Sequence, residues 1–283
     1  MLVALVMVLV VVASLVFHFL SPWRAPPIAS NWGFIDDTMA LTFWVTGFGF
    51  VAVILFMSYC LYRFRHEAGR RSTYEPENRK LELALGGVTT LAVIALLAPG
   101  LLVWGRFITP PPDAAQVEAV GVQWNWSFRL PGADGRFGAT DVRYISGDNA
   151  LGVSPADPHG RDDLIISAGE LHVPLGTPVK VLLRSIDVLH DFYVPQIRAK
   201  MDLVPGMETY FWFTPTKAGQ FEILCVAYCG VGHPQMRGML VVEPESDYRK
   251  WLAAQQSFAQ SRHGDAGGDM KTTVVQTGSS LGR

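Results

Sequence analysis

Cys225-Val-Ala-Tyr-Cys229-Gly-Val-Gly-His233-Pro-Gln-Met236 is the stretch on which the reading turns. The runs Gln220 to Leu224 before it and Gly238 to Val242 after it are short and β-prone, so the segment forms a loop between two strands. Two thiols, an imidazole and a thioether in so short a loop make a soft donor set that prefers copper. Zinc sites rely on Cys and His and gain little from a thioether. A mononuclear copper loop would carry one Cys. The second Cys, one helical turn's length further on, lets two sulfurs bridge two metals. The plain alternative for the pair is a disulfide, which an oxidising compartment permits. The third cysteine, Cys60, sits in an apolar run and reads as a small buried hydrophobe.

Such a pair of metals needs a second imidazole. His190, in Ser185-Ile-Asp-Val-Leu-His190-Asp-Phe-Tyr-Val-Pro195, follows the strand run Val179 to Leu183. Ligands from two strand ends of one scaffold can hold a geometry that a flexible loop cannot. Further β-prone runs, Thr209 to Thr214 among them, lie between turn residues from Val117 to Val242 and predict a small antiparallel barrel or sandwich. Pro131 to Arg161, rich in Gly, Asp and Pro, reads as a long insertion loop. A short helix is expected at Ser246 to Gln256, and disorder from Ser257 onward.

The chain upstream of Pro110 has a different character. Leu41 to Leu61 and Leu83 to Trp104 contain no Lys, Arg, Asp or Glu, and each approaches the ~20 residues that cross a bilayer as a helix. Pro99-Gly100 is tolerable there as a kink. Arg63, Arg65, Arg70, Arg71, Arg79 and Lys80 crowd the connection, which places it in the cytoplasm and everything after Trp104 on the opposite side. Leu2 to Leu20 reads as a third span. A signal peptide is the other reading, but this run lacks a basic start and exceeds the roughly 7–15 apolar residues expected of one. Its exit, Trp23 to Asp37, suits an external loop. The resulting division is 1–39 for an extra span and external loop, 40–108 for a helical hairpin, and 109–116 for a Pro-rich linker. The β domain takes 117–245, and a C-terminal helix and tail take 246–283. Charged residues make up 17% of the 283, and the net charge is −2, which argues against nucleic acid as a partner.

The C-x-x-x-C-G-x-x-H-x-x-M loop, with V-L-H-x-x-x-V-P upstream, resembles the binuclear copper A site of cytochrome c oxidase subunit II. Gln123-Trp124-Asn125-Trp126 is similar to that family's aromatic segment, and Lys200-Met-Asp202-Leu-Val-Pro205-Gly206 also matches. The resemblance runs from about Leu41 to Leu252 and implies a cupredoxin-like barrel behind two or three membrane spans. It implies one copper on His190 and Met236, another on His233 and the backbone carbonyl of Ala227, and Cys225 and Cys229 bridging both. It further implies Trp124 as the point of electron input from cytochrome c, and Glu82 as a proton-uptake carboxylate. Without the resemblance, Glu82 is a carboxylate favoured by the helix dipole, and Trp124 is a packing residue. Partners implied are subunit I, which carries haem and a further copper, subunit III, and membrane lipid. The implied place is a bacterial inner membrane, with the copper domain on the periplasmic side.

Two departures from the family bear on function. Many members carry Glu where this chain has Ala227, and that side chain also binds magnesium; weak or absent magnesium is therefore expected. Phe128-Arg-Leu-Pro-Gly-Ala-Asp134 mixes charges where the family is acidic, so a basic donor would be weakly steered. The nearest rival is a copper A subunit of a nitric oxide reductase. A quinol oxidase subunit would lack the ligands, a copper-delivery protein would need an open site, and nitrous oxide reductase would lack the spans. No Cys-x-x-Cys-His haem attachment occurs.

Overall fold

The computed structural model describes residues 1–21, 25–71, 77–167 and 169–265; Trp23 and the tail beyond 265 lie outside them. Three apolar helices come first: α1 (Leu2–Leu20), α2 (Gly33–Arg63) and α3 (Arg79–Phe107), each long and apolar enough to cross a membrane. Only Ala4, Val11 and Ser58 among their residues are buried, as expected of helices whose solvent is lipid rather than water. α3 runs unbroken through Pro99. Asn78 caps its start by accepting from the Leu81 amide at 3.1 Å.

α2 begins eight residues earlier than the apolar run, because its first turn serves the β domain as well as the membrane. Ile35 packs on the β-domain core, and Asp36 accepts from Arg198 at 2.7 and 2.9 Å. The expected external loop therefore ends at Trp32. That indole is 2% exposed and donates to the Trp212 carbonyl at 2.8 Å. At the end of α3, the carbonyls of Arg106 and Ile108 accept from Trp212 and Tyr210. Both ends of the hairpin thus seat on one strand, Thr209–Phe213.

The β domain holds ten strands: β1 (Ala115–Val122), β2 (Asn125–Leu130), β3 (Leu164–Ile166), β4 (Glu170–Pro174), β5 (Val179–Ser185), β6 (His190–Val194), β7 (Ala199–Leu203), β8 (Thr209–Phe213), β9 (Gly219–Cys225) and β10 (Arg237–Glu243). They form two five-stranded sheets, ordered β3-β2-β1-β5-β8 and β4-β10-β9-β6-β7. The barrel is thus half-closed, two sheets rather than a continuous ring, with mixed pairing: β1 runs parallel to β5, and β4 to β10. Trp126, Phe128, Leu183, Phe192, Leu203, Phe211, Phe213 and Ile223 fill the space between the sheets. Fully burying such side chains contributes about 1.5–3 kcal/mol each.

The insertion loop 131–161 packs onto the domain: Leu151 and Val153 are buried with Val120 and Phe258 in a second small core. A further expectation needs correction. Ser257 does not begin a disordered tail, because α5 (Phe258–Asp265) follows α4 (Glu245–Ala253). One apolar anchor explains α5. Phe258 is 4% exposed, and its amide donates to the Asp163 carbonyl at 2.7 Å. Composition hid this, because the residues around Phe258 are polar.

Candidate metal centre

β9 and β6 are antiparallel neighbours, with Phe192 opposite Cys225, so the end of one strand meets the start of the other. Cys225 closes β9 and His190 opens β6. From Cys225 the chain loops out, makes one 3₁₀ turn at His233–Gln235, and returns through Met236 into β10. The β9–β10 ladder holds the base of the loop, and the Cys225 amide donates to the Met236 carbonyl at 3.3 Å.

The donors converge. A ring nitrogen of His190, Cys225 Sγ and Cys229 Sγ lie within 4.8 Å of one another, all three residues buried, and His190 Nδ1 is 3.9 Å from Cys225 Sγ. Both thiols are free and their sulfurs stand 3.8 Å apart, far beyond the ~2.05 Å of a disulfide. His233 Nδ1 is 3.5 Å and Met236 Sδ 3.9 Å from Cys229 Sγ. The Ala227 carbonyl lies 3.3 Å from Cys225 Sγ. This set of sulfurs, ring nitrogens and one carbonyl suits copper. Burial, with Cys225 beside it, pushes the Cys229 thiol up to about 11. A bound cation would reverse that and displace the proton.

Two residues that organise the site carried no assigned role in the sequence reading. Asp187 Oδ1 lies 2.9 Å from His190 Nε2, leaving Nδ1 to face the sulfurs. Its other oxygen accepts from the Gln123 amide at 2.7 Å. Burial alone would raise the Asp187 carboxyl, but hydrogen bonds from Gln123, His190 and Val188 hold it below the usual carboxylate value. A carboxylate behind a metal-binding imidazole is a common orienting arrangement, and its place three residues before His190 was the available signal. The second is Gly121, where a Cβ would stand 2.9 Å from His190 Cδ2. A glycine inside a strand run hints at such close approach.

Trp124 occupies the β1–β2 turn, not a strand. Its indole is 38% exposed, and its Nε1 donates to the Cys229 carbonyl at 3.2 Å. Gln123 Nε2 donates to the same oxygen at 2.9 Å. Glu82 is not part of this cluster. It lies exposed in the first turn of α3, which at 1.5 Å per residue puts it roughly 37 Å along the helix from Phe107.

Residues 115–243 match the family described as cytochrome c oxidase subunit II, periplasmic domain. The chain is 58% identical to the alternative cytochrome c oxidase subunit 2 of Bradyrhizobium diazoefficiens, over 92% of this chain and 94% of that one. It is 27% identical to cytochrome c oxidase subunit 2 of Cereibacter sphaeroides, over 81% and 77%. Among solved structures, the periplasmic domain of subunit II of cytochrome oxidase from Bradyrhizobium japonicum matches with 26% identity and a TM-score of 0.38. That match covers 51% of this chain and 95% of that domain. With a relative this similar along nearly its whole length, the chain belongs to the cytochrome c oxidase subunit II family.

Proposed function

We propose that this chain is the electron-input subunit of a respiratory haem–copper oxidase, taking electrons from cytochrome c and relaying them to haem in subunit I for reduction of oxygen to water with proton translocation. The observation that carries the reading is the meeting of two free thiols 3.8 Å apart with His190, His233, Met236 and the Ala227 carbonyl. Cys225 and Cys229 would bridge two coppers; His190 and Met236 would hold one, and His233 and the Ala227 carbonyl the other. A copper pair bound there supplies a one-electron redox unit whose charge is shared between two metals.

The surrounding residues serve that unit. Asp187 orients the His190 ring; His190, Cys225, Cys229 and Met236 are buried, His233 and Ala227 half-buried, and the full set of ligands would leave no open position for a substrate. Trp124 is partly exposed and bonded to the backbone of Cys229, which suits an electron entering from a docked carrier. The apolar helices would pack against subunit I, with subunit III nearby and lipid around them, in a bacterial inner membrane. The basic Arg63–Lys80 connection would face the cytoplasm, and the β domain the periplasm. Glu82, at the cytoplasmic end of α3, would then take up protons for subunit I. Ala227 offers no carboxylate, so magnesium would be bound weakly or by other groups.

Metal analysis and electron paramagnetic resonance of the purified complex test the reading. About two coppers per chain with a mixed-valence signal are expected. A single blue copper, zinc, or an S–S bond between Cys225 and Cys229 would refute it. Oxygen consumption, rather than nitric oxide consumption, separates the oxidase from the related reductase.

A further inference from the structure

Gly232 sits between Cys229 and His233 with φ −88° and ψ 6°, a backbone that any residue adopts. Conformation therefore does not call for glycine there. A Cβ at this position, however, would stand 2.3 Å from Trp124 Cδ2 and 2.6 Å from both Cγ and Cε3. The three atoms nearest such a Cβ all belong to the indole. Gly230 differs, because its φ of 120° already favours glycine, and a Cβ there would meet Trp124 Cζ2 at 3.2 Å. Between them the two glycines leave bare backbone under the ring. Val231, 83% exposed, turns its side chain to solvent. The indole is held by its Nε1 donating to the Cys229 carbonyl, and the backbone just before it by the Gln123 amide donating to Asp187.

We infer that Gly232 is a positioning residue for electron input: its missing side chain lets the Trp124 indole seat directly on the loop between Cys229 and His233. The inference rests on Trp124 being the input point. A side chain at 232 would lift the ring off the backbone, lengthen the path from donor to metal, and leave the ligands themselves in place.

Trp124→Ala, Gly232→Ala and the double variant, each made in the whole oxidase, test this. Gly232→Ala should slow stopped-flow reduction of the copper centre by reduced cytochrome c several-fold. Its paramagnetic signal and copper content should match the parent. In the Trp124→Ala background the same substitution should change nothing further. Hydroxyl-radical footprinting of the metal-free full chain should show more oxidation of Trp124 once residue 232 carries a methyl group. If Trp124→Ala leaves the reduction rate unaltered, the input reading itself fails. If Trp124→Ala slows reduction and Gly232→Ala does not, the inference about Gly232 is overturned and the input reading stands. An altered copper signal, loss of copper, or multiplying effects in the double variant would assign Gly232 to the metal loop and overturn the inference as well.

Discussion

Asp187 serves two structures at once, the His190 ring through Oδ1 and the Gln123 amide through Oδ2. Asp187→Ala should therefore lower copper retention about 10–100-fold, the usual cost of losing the group behind a metal-binding imidazole. Competition with a copper chelator measures it; unchanged retention would show that packing against Gly121 and Trp126 suffices to orient the ring. The proposed ligands were legible because their spacing is dense and their chemistry uncommon. Asp187 and Gly121 were not, because an isolated Asp or Gly has many ordinary uses and only the folded contacts single these two out.

Strands and helices were legible in proportion to their length and periodicity. The three helices stood out by hydropathy, and β5, β8, β9 and β10 by β-branched and aromatic content. β3 and α5 did not, being a three-residue strand and a polar helix whose existence depends on what covers them. The ordered insertion has a similar cause. Arg129, 3% exposed, joins Glu118 and Asp163 at 2.7 and 3.0 Å and donates to the Gly138 carbonyl, tying the insertion to the sheet. Arg129→Met leaves the buried Asp163 without its ion-pair partner and Glu118 with Arg184 alone, and should cost about 3–5 kcal/mol in chemical denaturation. Burial outweighs Arg129 and the Gly138 amide and raises the Asp163 carboxyl to about 6. The folded chain thus holds a proton that the unfolded chain, near the ordinary ~3.9, releases. The contribution of this group to stability is present on the acid side and is lost as pH rises from about 4 through about 6. Asp163→Asn should flatten that part of a plot of melting temperature against pH. α4 is clamped differently, with Trp251 stacked on His172 at 4.2 Å and Glu243 accepting from the same ring at 2.9 Å. Trp251→Ala should loosen the helix by about 1 kcal/mol from the stacking alone, read as faster amide exchange across Glu245–Ala253.

The membrane hairpin and the β domain are joined by burial as well as by the linker. Trp32 packs on Trp212 and Phe107 with ring centroids 4.9 and 5.2 Å apart, and Arg198 holds Asp36 and the Pro26 carbonyl. Arg198 adopts φ 58°, a left-handed conformation uncommon for a residue with a side chain, and these bonds hold it there. Trp32→Ala should cost about 3–5 kcal/mol and free the β domain to move on Thr109–Asp113. Faster limited proteolysis in that linker would report it, whereas cleavage at the parent rate would mean that the contacts of Arg106 and Ile108 suffice.

Local sequence by itself determined what depends on composition and short spacing: three apolar helices, a β-rich domain, and a loop whose donors select a soft metal. Hydropathy and ligand chemistry act over a few residues, so they can be read in a line. Only the tertiary structure decided which atoms meet: Asp187 behind His190, bare glycine backbone beneath Trp124, Phe258 under the insertion, and Trp32 against Trp212. Those contacts join residues up to 180 positions apart. They form because the two sheets and the helix ends must exclude water together, a requirement that no local pattern encodes.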